Sequence, residues 1–468
     1  MQQESAALAG RGDTAAAIAE LSALIGERLS TAAAVREQHG KDLTWHAGHP
    51  PDAVAFARST EEVARIVAIC ARHRVPVIAY GTGTSLEGHI EALRGGVTID
   101  LAGMDAILEV NAADLDCRVQ AGVTRSRLNA ELRDTGLFFP IDPGADASLG
   151  GMAATRASGT NAVRYGTMRE AVLGLTGVTA DGQVGRTGGG ARKSAAGYDL
   201  TRLFVGSEGT LGIITEVQLR LWGIPEAISA AACSFASLAG AVDTVIATIQ
   251  AGVPIARIEL LDEVQVRACN RHSGLDLPET PTLFFEFHGS GAGVAEQVEF
   301  VGEIAGEHGG AGFRWASRTE ERNRLWAARH AAFWACRELR PGAEARATDV
   351  CVPISRLAEC ILATRADIDA EKLLGPIVGH VGDGNFHVTF LIDPNDPGEA
   401  ERAEAVSDRM VRRALAMGGT CTGEHGVGYG KMAYVEAEHP EGVVLMRKLK
   451  RALDPDDILN PGKVIRLD

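Results

Sequence analysis

The sequence lacks several features that would assign it to a simple class of protein. Its eight cysteines stand singly, with no CxxC or CxxxC spacing, which argues against iron–sulfur and structural zinc motifs and favours a reducing compartment. No apolar run approaches ~18 residues, so we expect no membrane-spanning helix. The first twenty residues have no basic flank followed by an apolar core, and their acidity disfavours a mitochondrial address. We therefore expect a cytoplasmic protein, with peripheral membrane attachment left open.

Positive charge is also in deficit. Lys and Arg total 46 against 61 Asp and Glu, a formal net charge of −15, which argues against nucleic acid and anionic membrane surfaces as main partners. Glycine, by contrast, is abundant, with 55 residues in 468 that follow no three-residue period and so exclude collagen. The glycines cluster instead, which favours loops where the backbone approaches a ligand closely.

The hydrophobic pattern divides the chain near residues 222–225. Before this point short strands alternate with helices and glycine-rich loops, and after it helices alternate with strands that we expect to be antiparallel. The length alone favours two or three domains. We predict an N-terminal helical segment (1–44), a first domain (45–224), a second domain (225–415) and a C-terminal segment (416–468).

Three loops rich in small residues indicate a ligand. The first spans 81–88 directly after the strand VPVIAY, the second spans 143–152 and is followed by similar stretches at 158–161 and 165–166, and the third spans 206–212. Leu86 breaks the GxGxxG pattern of the first loop and no GK[ST] follows, so neither a nicotinamide-type nor a P-loop site fits. Any one loop could be a tight turn. Together they favour an extended ligand with a pyrophosphate and a large planar ring.

A histidine pair indicates a metal site. In GPIVGHVGDGNFHVTF, Asp383 and Gly384 form a hairpin turn signal, and a turn centred there places His380 and His387 directly opposite each other. Their Cβ atoms would then be ~5 Å apart on one face. Glu424, in the later TCTGEHGVG, can add a carboxylate. The alternative is that one or both histidines only form hydrogen bonds within a sheet.

The motifs VPVIAYGTGTSLEG, DPGADASLGGM, GSEGTLGIIT and LNPGK together resemble the flavin-binding fold of the vanillyl-alcohol oxidase family. From about Trp45 onwards the chain is similar to the D-lactate dehydrogenase (cytochrome) branch, close to glycolate oxidase catalytic subunits and D-2-hydroxyglutarate dehydrogenases. The resemblance implies an α+β fold. It comprises a PCMH-type FAD-binding domain of two α/β subdomains, a cap domain with an antiparallel sheet covered by helices, and a C-terminal segment that completes the active site.

The resemblance implies non-covalent FAD, because the histidine that some relatives attach to FAD aligns with Thr84. The first loop would hold the pyrophosphate, the other two would contact flavin and adenosine, and Asn460 would approach the isoalloxazine edge. The implied cofactor contacts are Gly81, Thr82, Gly83, Thr84, Ser85, Gly88, Pro143, Gly144, Ala145, Ser148, Leu149, Gly150, Gly151, Ser158, Gly159, Asn161, Tyr165, Gly166, Glu208, Gly209, Gly212, Ile213, Ile214 and Asn460.

Relatives also place a divalent metal on residues matching His380, His387 and Glu424, where zinc, manganese or ferrous iron would each suit the ligands. His425 would then not be a ligand, and a neutral imidazole is a suitable base at cellular pH. We assign it to removal of the substrate hydroxyl proton. The metal would polarise that hydroxyl, and the C2 hydride would pass to flavin N5.

Three residues are candidates for the substrate pocket. Arg329, in LWAARH, resembles the family's arginine for the substrate carboxylate, and Phe333 follows one helical turn later. Thr389 lies two residues past His387 on the same strand face. Relatives that use 2-hydroxyglutarate have a small hydroxyl residue at Phe333 and a lysine that aligns with Ala347. A second substrate carboxylate would therefore be buried unpaired, which favours a monocarboxylate such as D-lactate or a longer aliphatic D-2-hydroxy acid.

The leading hypothesis is an FAD- and metal-dependent dehydrogenase that converts D-lactate to pyruvate. The alternatives are the flavin subunit of a multi-protein glycolate dehydrogenase, a metal-dependent hydrolase, and a non-catalytic flavin-binding protein. The hypothesis implies a D-2-hydroxy acid as substrate and an external electron acceptor, for which cytochrome c, a quinone and an electron-transferring flavoprotein all stay open. A homodimer is also left open.

Overall fold

The computed structural model describes residues 12–316 and 319–467, and residues 1–11 of the expected N-terminal segment lie outside them. The chain forms two compact units. Unit 1 comprises the described residues of 1–157, 167–223 and 425–468, and unit 2 comprises 158–166 and 224–424. Segment 158–166, which we expected within 45–224, thus belongs to unit 2. Unit 2 also extends past 415, because Thr420 forms a β-bridge with Cys351.

The first sheet of unit 1 has four strands in the order β1-β2-β4-β3, with β2, β4 and β3 parallel. Its strands are β1 (Leu29–Ser30), β2 (Ala53–Phe56), β3 (Val77–Tyr80) and β4 (Val97–Asp100). Its helices are α1 (Thr14–Ile25), α2 (Ala33–Gln38) and α3 (Thr60–Arg72). Helix α3 begins where the Ser59 side chain accepts a hydrogen bond from the backbone N–H of Glu62. Its buried apolar residues form one core cluster with residues of this sheet and with Val178.

The second sheet of unit 1 has five antiparallel strands in the order β5-β6-β10-β8-β9. They are β5 (Ile107–Asn111), β6 (Asp116–Gln120), β8 (Val172–Val178), β9 (Val184–Gly188) and β10 (Ile213–Arg220); β7 (Leu137–Phe138) pairs with β11 (Trp222–Gly223). The remaining helices of unit 1 are α4 (Arg125–Glu131), α5 (Leu149–Thr155), α7 (Met168–Ala171), α8 (Leu200–Phe204), α16 (Met432–Glu438) and α17 (Gly442–Leu453). Alternate residues of β10 are buried from Thr215 to Arg220, as in a strand with one exposed face.

Unit 2 contains an antiparallel sheet in the order β15-β12-β14-β13-β18-β19-β16, with β17 paired to β19. The strands are β12 (Ala227–Phe235), β13 (Arg257–Leu261), β14 (Thr282–Gly289), β15 (Gly310–Ala316), β16 (Glu344–Ala347), β17 (Val350–Cys351), β18 (Ile377–Gly379) and β19 (Asn385–Ile392). The helices are α6 (Ala162–Tyr165), α9 (Leu238–Gln250), α10 (Glu263–Ser273), α11 (Gly291–Glu307), α12 (Thr319–His330), α13 (Ala332–Arg337), α14 (Leu357–Ala370) and α15 (Pro397–Ala416). The α+β class is confirmed. No described helix is both long and apolar enough to span a bilayer.

Two local predictions were wrong. His387 pairs with Val378 rather than with His380, because a 3-10 turn at Val381–Asp383 and a left-handed Gly384 (φ 81°) lengthen the connection between β18 and β19. The helix that carries Arg329 ends at His330, so Phe333 lies on the next short helix and not one turn later on the same one.

Candidate functional site

Three polar side chains of unit 2 converge as a metal ion requires. His380 Nε2 lies 3.0 Å from Glu424 Oε1, and His387 Nε2 lies 3.2 Å from the same oxygen. The three candidate ligand atoms lie within 4.8 Å of one another. Two imidazole nitrogens and one carboxylate oxygen suit zinc, manganese or ferrous iron with coordination positions left for substrate. The fold therefore brings together the residues that we predicted as metal ligands.

Hydrogen bonds at the other ring nitrogens fix both imidazoles. His380 Nδ1 lies 2.9 Å from Glu259 Oε1, and His387 Nδ1 lies 3.0 Å from the Thr348 carbonyl oxygen. Carboxylate and carbonyl oxygens only accept, so each Nδ1 carries a proton and Nε2 is the ring atom left to bind a metal. Both Nε2 atoms therefore face the Glu424 carboxylate. A cation between them would satisfy all three groups.

The charges around this cluster also suit a divalent cation. Burial disfavours a charged imidazole, but the Glu259 and Glu424 carboxylates outweigh it and raise the pKa of His380 well above its ordinary value. Burial likewise opposes ionisation of Glu424, but the adjacent imidazoles of His380 and His387 lower its pKa well below the ordinary value. With both imidazoles neutral, as metal ligation requires, the carboxylates of Glu259, Asp349 and Glu424 and the Arg329 guanidinium carry a formal charge of −2, which one divalent ion would balance.

The fully buried Asp349 holds the third ligand in place, and the sequence did not reveal this role. Its Oδ2 accepts from the backbone N–H of Glu424 (2.9 Å) and from the Thr422 hydroxyl (2.7 Å). Its Oδ1 accepts from Asn385 Nδ2 (2.7 Å). An acidic residue within TDVCVP was the available signal, but only the folded chain shows which backbone it meets.

Arg329 is buried beside the metal cluster but is already engaged. Its Nε and Nη2 lie 2.8 and 2.6 Å from Glu259 Oε2, so one edge of the guanidinium is taken by this carboxylate. The opposite edge, formed by Nη1 and the second Nη2 proton, has the fork geometry that binds carboxylates. Arg329 can therefore still recognise a substrate carboxylate, through one edge only.

The other predicted pocket residues lie on nearby elements of unit 2. Thr389 is two residues after His387 on β19, so both face the same side of the sheet. Ala347 is the register partner of Thr389 on β16. Phe333 is half-buried on α13, and its carbonyl accepts from Cys336 Sγ. A small apolar residue, Ala347, therefore lies directly across from Thr389.

In unit 1 the first two small-residue loops meet closely. A Cβ on Gly81 would lie 2.3 Å from Ser148 Oγ, and Gly83 adopts a positive φ of 67°. Ser148 and Leu149 are buried, whereas Pro143, Gly144 and Ala145 remain accessible. The buried Ser148 Oγ has no hydrogen-bond partner among the described residues. A buried hydroxyl without a partner is costly, so a polar ligand at these loops fits the residues present.

Asn460 connects the first and third loops. Its Nδ2 donates to the carbonyl oxygens of His89 (3.0 Å) and Glu208 (2.7 Å), and its Oδ1 accepts from Lys463 Nζ (3.2 Å). Lys463 Nζ also donates to the Glu91 carbonyl (2.6 Å). The side chain of Asn460 is thus occupied in holding backbone together, a role that its predicted approach to the flavin did not include.

Glu208, a predicted cofactor contact, has its carboxylate bound by other protein groups of unit 1. Its carboxylate accepts from the backbone N–H groups of Val427 (2.7 Å) and Gly428 (2.8 Å), and it lies 3.2 Å from His89 Nε2. Burial opposes its ionisation, but the His89 imidazole and these donors together lower the pKa of Glu208. The carboxylate therefore anchors the loop that begins at His425. In the same unit, His425 Nδ1 lies 3.9 Å from Glu87 Oε1, and Lys431 pairs with Glu87.

The remaining predicted cofactor contacts divide between the units. Thr82, Thr84 and Ser85 lie in the accessible first loop, and the Ser85 hydroxyl donates to Asp42. Of the remaining contacts, Gly88, Gly150, Gly151, Gly209, Gly212, Ile213 and Ile214 are in unit 1, and Ser158, Gly159, Asn161, Tyr165 and Gly166 are in unit 2. In unit 2, Asn161 accepts from Arg257 Nε (2.9 Å), and the Tyr165 hydroxyl lies 2.6 Å from His288 Nδ1.

Comparisons with known proteins identify the family of the chain. Residues 51–188 match the model of an FAD binding domain, and residues 224–464 match the C-terminal domain of FAD linked oxidases. The chain belongs to the FAD-linked oxidase family. It is accordingly an FAD-binding oxidoreductase, and the predicted family resemblance is confirmed. The loops of unit 1 fit this cofactor, since they leave small, accessible residues and a buried hydroxyl.

Several relatives are similar to this chain over most of its length and most of their own. A probable mitochondrial D-lactate dehydrogenase of Danio rerio is 55% identical over 94% of this chain and 90% of the relative. A mitochondrial D-lactate dehydrogenase [cytochrome] of Arabidopsis thaliana is 48% identical over 96% of this chain and 80% of the relative. The glycolate oxidase subunit GlcD of Bacillus subtilis is 37% identical over 89% of this chain and 90% of the relative.

Solved structures share the fold at low sequence identity. A p-cresol methylhydroxylase superposes with a TM-score of 0.79 at 18% identity, covering 96% of each chain. An alkyldihydroxyacetonephosphate synthase superposes with a TM-score of 0.75 at 21% identity, covering 95% of this chain and 85% of the other. The predicted PCMH-type architecture is confirmed.

Proposed function

We propose that the protein oxidises D-2-hydroxy monocarboxylates, with D-lactate as preferred substrate and pyruvate as product. The proposal includes non-covalent FAD, one divalent metal ion on His380, His387 and Glu424, and transfer of electrons to an external acceptor such as cytochrome c. The observation that carries it is the pair of imidazoles of His380 and His387, each held at Nδ1 and each with Nε2 facing Glu424. Arg329 is connected to this pair through the Glu259 carboxylate, which binds both Arg329 and His380. The D-lactate dehydrogenases among the relatives support the substrate class.

The oxidation removes one proton from the 2-hydroxyl and one hydride from C2, in total two protons and two electrons. His425 accepts the proton of the 2-hydroxyl, and the Glu87 carboxylate near its Nδ1 stabilises the resulting imidazolium. The free edge of Arg329 binds the substrate carboxylate and so fixes the orientation of C2. When bound, FAD supplies the acceptor for the C2 hydride. When bound, the metal supplies Lewis acidity at the 2-hydroxyl.

The residues near Arg329 favour an uncharged substrate side chain. Ala347 stands directly across from Thr389, and Phe333 offers an aromatic ring in place of a hydroxyl. Neither can neutralise a second carboxylate, which would cost several kcal/mol to bury unpaired. D-Lactate fits this pocket better than D-2-hydroxyglutarate does.

The test is an anaerobic visible absorption spectrum of the FAD-loaded protein, recorded before and after each substrate. We expect D-lactate to bleach the flavin, L-lactate to leave it oxidised, and D-2-hydroxyglutarate to act far more slowly. Faster bleaching by glycolate would favour the alternative activity named for the Bacillus relative. A flavin that no 2-hydroxy acid reduces, in metal-loaded protein, would overturn the proposal.

The role of His425 needs its own variant. His425→Ala should retain FAD and lose most D-lactate-dependent bleaching, by ~10²-fold or more, since general base catalysis contributes on that scale. His439→Ala, which changes an exposed histidine of unit 1, is the matched control. Normal bleaching in the His425 variant would remove it as the base.

A further inference from the structure

We propose that Glu259 is a positioning residue that links the metal site to substrate recognition. Its single carboxylate binds both His380, a proposed metal ligand, and Arg329, the proposed partner of the substrate carboxylate. This inference rests on the proposed function and adds a residue that the sequence analysis did not identify.

Both carboxylate oxygens of Glu259 accept hydrogen bonds from side chains of the proposed site. It is fully buried on β13 and lies 121 residues from His380 in the chain. Its Oε1 and Oε2 lie 2.9 and 3.0 Å from His380 Nδ1. Its Oε2 lies 2.8 and 2.6 Å from Arg329 Nε and Nη2. Three N–H groups from two site residues thus converge on one carboxylate.

The bond to His380 determines how that ring meets a metal. An acceptor at Nδ1 keeps a proton there, so Nε2 is the atom that would bind a metal beside Glu424. A carboxylate in this position also increases the basicity of the ligand nitrogen. Without it the ring could turn or change tautomer, and the metal would lose a ligand of defined direction.

The bonds to Arg329 determine which edge of the guanidinium reaches substrate. With Nε and Nη2 held by Glu259, the Nη1 side is the edge left to form a two-point contact with a carboxylate. The orientation of the substrate carboxylate is therefore set by the same carboxylate that orients His380. One rigid group on a central strand fixes both ends of a 2-hydroxy acid, the carboxylate and the hydroxyl-bearing carbon.

Only a carboxylate can make these contacts together. A glutamine offers one acceptor oxygen and one NH₂ group, which would face an N–H of His380 or of Arg329. Other buried carboxylates of unit 2 have different partners. Glu286 binds His288 and Arg257, and Asp262 caps helix α10 and accepts from the Ile377 backbone. Variants of Glu286 and Asp262 are therefore matched controls for the loss of a buried acid whose role is only structural.

The experiment compares Glu259→Gln with wild type and with Asp262→Asn, all FAD-loaded. Zn²⁺ affinity is measured on metal-stripped protein by competition with a chelator, and D-lactate kinetics are measured at saturating Zn²⁺ with an artificial dye as acceptor. We expect the Zn²⁺ dissociation constant of Glu259→Gln to rise ~10–100-fold. We expect KM for D-lactate to rise ~10-fold or more while kcat at saturation changes less than KM does. Asp262→Asn should leave both constants within ~2-fold of wild type.

A structural role for Glu259 predicts a different result. It would lower the yield or the thermal stability of the variant and leave the Zn²⁺ affinity and KM of the folded fraction unchanged, and that outcome overturns the inference. If the glutamine variant does not fold, Glu259→Asp keeps the charge but shortens the reach, and the same two constants should rise to a smaller extent. Unchanged constants in Glu259→Asp would again overturn it.

The outcomes also separate this inference from the proposed function. A wild-type protein that binds no Zn²⁺ and is not reduced by D-lactate overturns the proposed function and the inference together. A wild-type protein that does both, beside a Glu259 variant with unchanged constants, overturns the inference alone.

Discussion

Replacement of Glu424 by glutamine isolates the charge of the proposed third metal ligand. The two side chains have nearly the same shape, so the change creates no cavity, and the backbone N–H of residue 424 can keep its bond to Asp349. What is lost is a negative charge 3.0 Å from His380 Nε2 and 3.2 Å from His387 Nε2. The variant thus tests electrostatics and ligation without repacking.

The expected magnitude follows from these distances. At 3.0 Å and an effective dielectric constant near 20, a carboxylate attracts a unit positive charge by ~5 kcal/mol. The desolvation of the buried charges offsets part of this attraction. Removal of one partner from a buried ion pair typically costs ~3–5 kcal/mol. If Glu424 contributes on that scale to the bound metal, the metal dissociation constant should rise by ~10²-fold or more.

Thermal unfolding with and without Zn²⁺ measures this loss. At 100 times its dissociation constant a ligand stabilises a protein by ~2.7 kcal/mol. A variant with 100-fold weaker binding gains less than ~0.5 kcal/mol at the same Zn²⁺ concentration. Glu286→Gln is the matched control, because Glu286 is also a buried carboxylate bonded to a histidine, and it should keep the full gain. Equal gains in wild type and Glu424→Gln would refute the metal site.

Three further predictions follow from the described residues. Ala347→Lys should raise the activity ratio of D-2-hydroxyglutarate to D-lactate ~10-fold or more, because a cation across from Thr389 can pair the second carboxylate; an unchanged ratio in steady-state assays would contradict this placement. Asn460→Ala should weaken FAD binding ~10-fold or more in fluorescence titrations, since two backbone carbonyls lose their donor, and unaltered affinity would limit the residue to a local role. Burial raises the pKa of Asp262 to about 7, so the folded state holds its proton more tightly than the unfolded state. Wild type should therefore lose stability relative to Asp262→Asn by up to ~4 kcal/mol as the pH rises from ~4 to ~7, and a constant difference in denaturant midpoints would contradict it.

Much of the fold could be predicted from local pattern. The start of α3 follows from Ser59 with Glu62 behind it, and the left-handed Gly136 ends the helical segment after α4. The division near residue 223 was readable from the change in element order. The position of segment 158–166 was not, because its partners, such as Arg257 and His288, lie far along the chain.

The metal site shows where local pattern succeeds and where it stops. The predicted register of the hairpin was wrong by two residues, yet the rings of His380 and His387 still lie with centroids 5.5 Å apart. The long imidazole side chain tolerates a small shift of the backbone, because both residues remain beside the same turn. A hairpin motif with two histidines therefore predicts their proximity better than it predicts their pairing.

The residues that orient the ligands follow a different rule. Glu259 reaches His380 only because β13 pairs with β18, and Asp349 reaches Glu424 only because the chain returns past β17 at Thr420. In the sequence each is a single acid among apolar residues, RIELL and TDVCVP, a pattern that marks a buried carboxylate without naming its partner. A buried charge must be paired, so such a residue could be flagged as functional or structural from sequence. Which of the two it is depends on strand pairing, and here the pairing brings one of these carboxylates to both a proposed metal ligand and the proposed substrate arginine.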